Sequence, residues 1–304
     1  MSYLQQDIEI EATDGFLLAA SLYTAGKGAK SGVEGGNSLL IIGSAFGVPR
    51  QYYKHFARFV AEQGISCLTF DYRGIGQSRD GVMPAKDMLM QHWGQLDLEG
   101  VIQFVEAKYQ ADEIYYLGHS AGGQILGLAP SSAKFRKVVL AATGVGTWRA
   151  WLGTKRYLLA AMWYGLMPLM LRLQRGDFFH SKLLGPIPVP KQAVRQWVSW
   201  AKSEDYLFTP VHKLDLSGYR KMTADILALT ISDDWYAPQS SRDALLAHYI
   251  NCHRVTQYVI PQDIGLNKVG HLGLFRKKQE IIKGMWQPMI NFLESVGKEN
   301  DRET

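Results

Sequence analysis

The stretch EIYYLGHSAGGQILGL, residues 113–128, decides how the rest of this chain is read. Its first half, Ile114-Tyr115-Tyr116-Leu117, is short and apolar, the pattern of a buried strand. Its second half, from Gly123 through Ile125 and Leu126, can open a helix. Between them Gly118-His119-Ser120-Ala121-Gly122 matches G-x-S-x-G. Glycine and serine are common, so the pentapeptide alone is a weak signal. The strand before it and the helix after it make it specific. A serine raised on such a turn has strained backbone and crowding neighbours, so small residues must flank it.

Working outward, residues 7–12 and 17–23 read as strands joined by the turn Thr13-Asp14-Gly15. Residues 26–37 are rich in Gly, Lys and Ser and read as a loop. From there short apolar strands (39–42, 66–70, 113–117, 137–142, 226–231, 255–260) alternate with helices (50–63, 88–109, a segment after Ser120, 240–249). A last helix spans 277–296, and the polar tail 297–304 should fray. This alternation predicts an α/β fold with a doubly wound, mostly parallel sheet. It breaks between Ala142 and Ala224, where Trp148, Trp151, Trp163, Trp197, Trp200 and the run Gly185-Pro-Ile-Pro-Val-Pro190 stand among helix formers. The expectation is a core of residues 1–143 and 224–304, with 144–223 a helical cap insertion over the strand ends.

A serine hydroxyl is a poor nucleophile until a base takes its proton. In a chain of this order the base should follow the last strand, and His271 stands there in Gly270-His271-Leu272-Gly273. The neighbouring His119 should point away from the serine. The base needs an acid to fix its tautomer. Strand 226–231 runs into Ser232-Asp233-Asp234-Trp235-Tyr236-Ala237-Pro238, and Asp234, four residues before the proline, is the chosen acid with Asp233 as fallback. The earlier strand ends in Thr143-Gly-Val-Gly and offers no carboxylate. An oxyanion hole requires two backbone N–H groups. One should come from Ala121 and the other from the loop Gly43-Ser-Ala-Phe-Gly-Val-Pro49, with Phe46 preferred and Ala45 next. The preference for Asp234 over Asp233 is what a resemblance implies, since its spacing to Pro238 is similar to the D-x-x-x-P pattern common in α/β-hydrolases.

Together these residues resemble the α/β-hydrolase superfamily over nearly the whole chain. Asp71-Tyr-Arg-Gly-Ile-Gly-Gln-Ser78 is similar to the D-x-R-G-x-G-x-S loop of many members, where its role is structural. Ala45-Phe-Gly-Val48, Ser232-Asp-Asp-x-Tyr-Ala-Pro238 and Gly270-His-x-Gly-x-Phe275 resemble a bacterial group of predicted α/β-hydrolases of unassigned substrate. The chain departs from the lipase pattern at the oxyanion loop, where Ile42-Gly43 replaces His-Gly. Serine rather than aspartate at the turn argues against haloalkane dehalogenase or epoxide hydrolase chemistry.

Net charge is +5 with a pI near 9.0, and the excess is local. Residues 149–221 hold twelve Lys/Arg against four Asp/Glu, leaving 21 against 24 elsewhere. No nucleic-acid motif accompanies this basic segment, so no nucleic acid is expected as partner. An amphiphilic anion or peripheral contact with a lipid surface suits it better. The apolar run 157–171 is shorter than the roughly 20 residues of a spanning helix, and Pro168 interrupts it. It reads as a buried or lid helix. Cys67 and Cys252 are too few for a disulfide framework, and no signal peptide is visible, so a cytoplasmic setting is expected.

The expected reaction is cleavage of an ester-type acyl bond through an acyl-enzyme on Ser120, with His271 and Asp234 as partners. Phe46, Trp148 and Trp235 are the expected substrate-binding residues, under a cap lined with Trp, Leu and Met. No metal or organic cofactor is required. A carboxylesterase or lipase-like enzyme for apolar acyl esters is the first reading, and an acyl-CoA thioesterase the second. A non-catalytic receptor or scaffold on the same fold is the third, and the same residues also cleave amides. Nothing in the sequence specifies the oligomeric state.

Overall fold

Successive residues of a strand face opposite sides of its sheet, so a strand apolar at every position needs cover on both sides. The computed structural model, which describes residues 3–26, 38–79, 83–181 and 184–295, supplies that cover. The main sheet has the order β1-β2-β4-β3-β5-β6-β9-β10. Its members are β1 (Leu4–Glu11), β2 (Leu17–Thr24), β3 (Ser38–Gly43), β4 (Ser66–Phe70), β5 (Glu113–His119), β6 (Lys137–Ala141), β9 (Asp225–Ile231) and β10 (His253–Val259). The two short strands β7 (Phe178–Phe179) and β8 (Val189–Pro190) pair with each other between β6 and β9. From β4 to β10 the main sheet is parallel, and β1 and β2 run antiparallel at one edge.

Each inner strand feeds two separate cores. Leu39, Ile41, Val138, Leu140, Ile226 and Ala228 pack with the helical run over 90–109. Leu40, Ile42, Val139, Ala141, Leu227 and Leu229 pack with the helix Lys54–Glu62 and the run over 279–294. The fold class is therefore the one expected: a doubly wound, mostly parallel α/β sheet.

Two elements depart from expectation. The helix after Ser120 is a single turn, Ala121–Gln124, followed by 3₁₀ turns at Leu126–Leu128 and Pro130–Lys134. The Tyr219 ring lies where a Gly127 side chain would be, 2.4 Å from an ideal Cβ, and Pro130 lacks an N–H. Second, Pro168 does not interrupt its helix. Helical structure is continuous over 155–173, with a π-turn at Met162–Leu166. A proline clashes with the carbonyl four residues back, here that of Tyr164, and the wider π-turn gives it room. The same solution precedes Pro288, where a π-turn covers Ile282–Trp286. The expected loop at 26–37, apart from Gly26, and the tail 297–304 lie outside the described residues.

The loop 71–78 is tied down by buried charge. Asp71 accepts from the backbone N–H of Arg50 at 2.7 Å and from its Nη1 at 2.8 Å. Arg73, fully buried, donates to Asp97 through Nε (2.6 Å) and its own backbone N–H (2.9 Å), and to both oxygens of Asp14 at 2.8 Å. Removing one partner of a buried pair strands the other charge in a low-dielectric interior, which costs about 3–5 kcal/mol. Arg73→Ala, which leaves the fully buried Asp97 without its cation, should therefore lower the unfolding free energy by about that amount in urea titrations. Glu113→Ala, which removes a half-exposed partner of Arg136 at 3.9 Å, should cost less than about 1 kcal/mol.

Candidate active site

The parallel strands deliver their C-terminal ends to one edge, the position at which sheets of this kind build sites. Ser120 follows β5 directly, and its backbone sits at φ 51°, ψ −114°, a conformation that costs an L-residue energy. Its N–H donates to Ala141 O at 3.0 Å, and its carbonyl accepts from Gly123 and Gln124 N–H at 3.0 and 3.2 Å. A Cβ on Gly118 would lie 2.5 Å from Gly123 Cα, and one on Gly122 would lie 2.3 Å from Gly43 O. Both glycines of the motif are therefore demanded by close approach of backbone.

His271 lies on the short helical turn Gly270–Gly273 after β10. Its Nδ1–H donates to Asp234 Oδ2 at 2.8 Å, leaving Nε2 bare to accept the Ser120 hydroxyl, also at 2.8 Å. The Asp234 side chain is fully buried, and its second oxygen accepts from Tyr236 N–H at 2.8 Å. The structure thus brings Ser120, His271 and Asp234 into one hydrogen-bonded line. Asp233 has different partners. Its carboxylate accepts from Val269 and Gly270 N–H at 3.0 and 2.8 Å, anchoring the turn that carries His271.

A second chain of bonds, with no counterpart in the sequence reading, connects the surrounding loops. The His271 carbonyl accepts from His119 Nε2–H at 3.0 Å. His119 Nδ1 must then accept, and it does so from Tyr53 O–H at 2.9 Å. Tyr53 Oη in turn accepts from Ala45 N–H at 2.8 Å. Complete burial, reinforced by the adjacent His271, pushes the His119 imidazole down to about 3, so it stays neutral. The side chain does point away from Ser120, as expected. With Ala45 N–H engaged, the fallback oxyanion donor is removed. The N–H groups of Phe46 and Ala121 have no acceptor among the described residues.

Over Ser120 opens a cavity of about 280 Å³, lined by Ala45, Phe46, Gln124, Trp151, Leu159, Met162, Trp163, Leu184, Trp197 and Tyr236, with His271 and Leu272 at its rim. Phe46 stacks on Trp197 at 4.7 Å. Two expected pocket residues are misplaced. Trp148 is sandwiched with the guanidinium groups of Arg149 and Arg156, 4.6 and 5.3 Å from its ring, and does not line the cavity. Trp235 does not line this cavity, and Lys155 Nζ lies 5.6 Å from its ring. The turn after β9, closed by Asp234 N–H to Ile231 O, presents Tyr236 to His271 instead, ring to ring at 5.1 Å. Trp151, Trp163 and Trp197 take the places expected of Trp148 and Trp235. Among the described residues no group of three or more His, Cys, Asp or Glu could hold a metal ion, and no helix is long and apolar enough to cross a membrane.

The buried neutral His119 makes stability depend on pH. Unfolded, it binds a proton near its ordinary 6.5, while folded it resists one until about 3. Its contribution is complete above 6.5 and is lost as pH falls toward 3, by about 1.4 kcal/mol per pH unit. Urea unfolding of His119→Phe at several pH values should show that slope removed between roughly pH 6 and 4. An acid limb as steep as in the parent would mean His119 is protonated in the fold.

The family model described as "Serine aminopeptidase, S33" matches residues 40–192, a span that holds Ser120 but neither Asp234 nor His271. No curated protein sequence matches significantly. Solved structures share the fold at low identity. A monoglyceride lipase from Saccharomyces cerevisiae, a soluble variant bound to a substrate analogue, is 12% identical with a TM-score of 0.64, covering 97% of each chain. A thermostable carboxyl esterase from Bacillus coagulans is 14% identical with a TM-score of 0.62, covering 96% of this chain and 98% of its own. Est1E from Butyrivibrio proteoclasticus with ferulic acid bound is 16% identical with a TM-score of 0.58, covering 95% of this chain and all of its own. The chain thus belongs to the serine aminopeptidase S33 family of α/β-hydrolases.

Proposed function

We propose that the protein is a serine hydrolase that cleaves esters of small, uncharged, apolar acyl groups. The observation that carries this reading is the Asp234–His271–Ser120 line, with both bonds at 2.8 Å, opening into the apolar cavity. Ser120 Oγ attacks the acyl carbonyl as its proton passes to His271 Nε2, and the imidazolium is stabilised by Asp234. Phe46 and Ala121 N–H groups hold the oxyanion. Collapse expels the alcohol, which takes the proton from His271, and a water activated by the same imidazole then releases the acyl group as acid.

The cavity also bears on substrate. At about 280 Å³ it falls just below the roughly 300–1,000 Å³ of sites for drug-sized ligands, which favours short or single-ring acyl groups. Among the described residues no Lys, Arg, Asp or Glu lines it. A peptide α-ammonium would be desolvated there without a carboxylate partner, which disfavours aminopeptidase action despite the family's description. Among structures of like fold, Est1E, which holds ferulic acid, and a monoglyceride lipase that holds a substrate analogue support an ester as substrate.

A fluorophosphonate probe should label Ser120 and be blocked by Ser120→Ala, whose circular dichroism stays that of the parent. Hydrolysis of p-nitrophenyl acetate and butyrate should fall at least about a thousandfold in that variant. Absence of labelling in the parent would leave a ligand-binding protein instead. The two neighbouring aspartates should separate. Asp234→Asn should lose about a thousandfold or more in kcat, because it removes the charge beside the imidazolium. Asp233→Asn, which loosens only the His271 turn, should lose far less, and the reverse ranking would transfer the acid's role to Asp233.

A further inference from the structure

A helix apolar on every side is ordinarily enclosed on every side. The cap helix over 155–173 breaks that rule. One side, with Leu159, Met162 and Trp163, lines the cavity above Ser120. The other side presents Tyr157 (66% exposed), Leu158 (65%), Leu166 (44%), Leu169 (54%) and Leu173 (70%) to solvent. Of the sixteen large apolar side chains exposed among the described residues, seven fall within residues 152–173. Such concentration on one face marks a contact surface, since scattered exposed leucines would need no explanation.

The charge beside this face names the partner. The helix carries Lys155, Arg156 and Arg172 and no carboxylate. The second cap helix, Lys191–Lys202, carries Lys191, Arg195 and Lys202 and also no carboxylate. Arg172, Lys191, Arg195 and Lys202 surround a groove of about 560 Å³ between the two helices, floored by Pro168, Leu171 and Val198. Among the described residues, no Lys or Arg between Arg149 and Lys221 has a carboxylate within 4.0 Å, whereas the core arginines Arg50, Arg73 and Arg242 are all paired. Leucines flanked by unpaired cations form the pattern of a helix lying in a lipid–water interface, its apolar face among acyl chains and its cations on anionic headgroups.

We infer that the outer face of the cap docks on a membrane surface rich in anionic phospholipid. Two other occupants fit less well. A second copy of this chain would bring two unpaired basic faces together, and nucleic acid would leave the leucines without a base to stack on. The surface is distinct from the acyl cavity, and this inference stands whether or not the proposed hydrolysis is correct.

Vesicle flotation tests it, using the full chain and its Ser120→Ala variant alike. Vesicles of phosphatidylcholine containing about 30% phosphatidylglycerol should bind at least about tenfold more tightly than pure phosphatidylcholine, with the difference shrinking in high salt. Leu169→Asp/Leu173→Asp should weaken binding to the anionic vesicles about tenfold or more, and Arg172→Gln/Arg195→Gln should remove most of the anionic preference. None of these residues lines the cavity, and all are substituted at the surface, so circular dichroism and p-nitrophenyl acetate turnover should match the parent. Equal binding to both vesicles, or to neither, overturns the inference. So does a dimer in sedimentation that the leucine variants dissociate, or duplex DNA binding that survives where vesicle binding fails.

Discussion

The site is organised by a crowding constraint at one turn. β5 must end in a residue held at φ 51°, and three neighbours press on that turn at once: the backbone of Gly43 at the end of β3, the backbone of Gly122–Gly123 in the following helix, and the side chain of Thr143 after β6. A strained residue persists only where its surroundings over-determine it, and a central position between β3 and β6 provides that. The same crowding fixes where the other groups can stand. Because β3 abuts the turn, its loop brings Phe46 N–H to the same side as Ala121. Because β9 and β10 follow β6 in the sheet, Asp234 and His271 arrive in order from the other side.

Around that turn the hydrogen-bond donors and acceptors leave little freedom. Asp234 and Asp233 are adjacent in sequence yet divide their work: one orients the imidazole, the other holds the backbone that carries it. The chain from Ala45 through Tyr53 and His119 to the His271 carbonyl ties the loop after β3 to the histidine turn through groups that remain neutral. Burial of His119 is therefore costly in acid and useful at neutral pH, where it preorganises two loops without adding a charge beside His271. Because the Asp234 side chain is fully buried, its carboxylate meets the imidazole in a low dielectric.

The cap connects that interior to the outside through a single helix. Its π-turn accommodates Pro168 and keeps one continuous rod, so residues lining the acyl cavity and residues exposed to solvent belong to the same rigid element. Trp163 lies edge-on to Trp197 at 4.8 Å, and Trp197 stacks on Phe46. Packing at the cavity roof is thus continuous with the second cap helix, which bears three of the four cations bordering the groove. A partner that settles on the outer face presses on the two helices that shape the cavity.

Periodicity and motif position were enough to predict the parallel sheet, a strained turn at Ser120 and a histidine after the last strand, while the sequence left Asp233 open beside Asp234 until the fold set Asp234 against His271. Each of these follows from local chemistry: apolar alternation sets strands, glycines permit the turn, and chain order places the base. What lay beyond the sequence depends on which way a side chain faces once its segment is folded. Trp148 and Trp235 have the right composition for a pocket, but the turn after β9 sets Tyr236 against His271, and the guanidinium groups of Arg149 and Arg156 lie against Trp148. Pro168 looked like a break because the π-turn that admits it is a property of packed helices. Tyr53 and His119 carried no signal, since they come from a helix entrance and a strand end 66 residues apart. Only tertiary structure brings them within hydrogen-bonding distance, and only burial makes the histidine neutral enough to pass a proton donor's direction from one loop to the next.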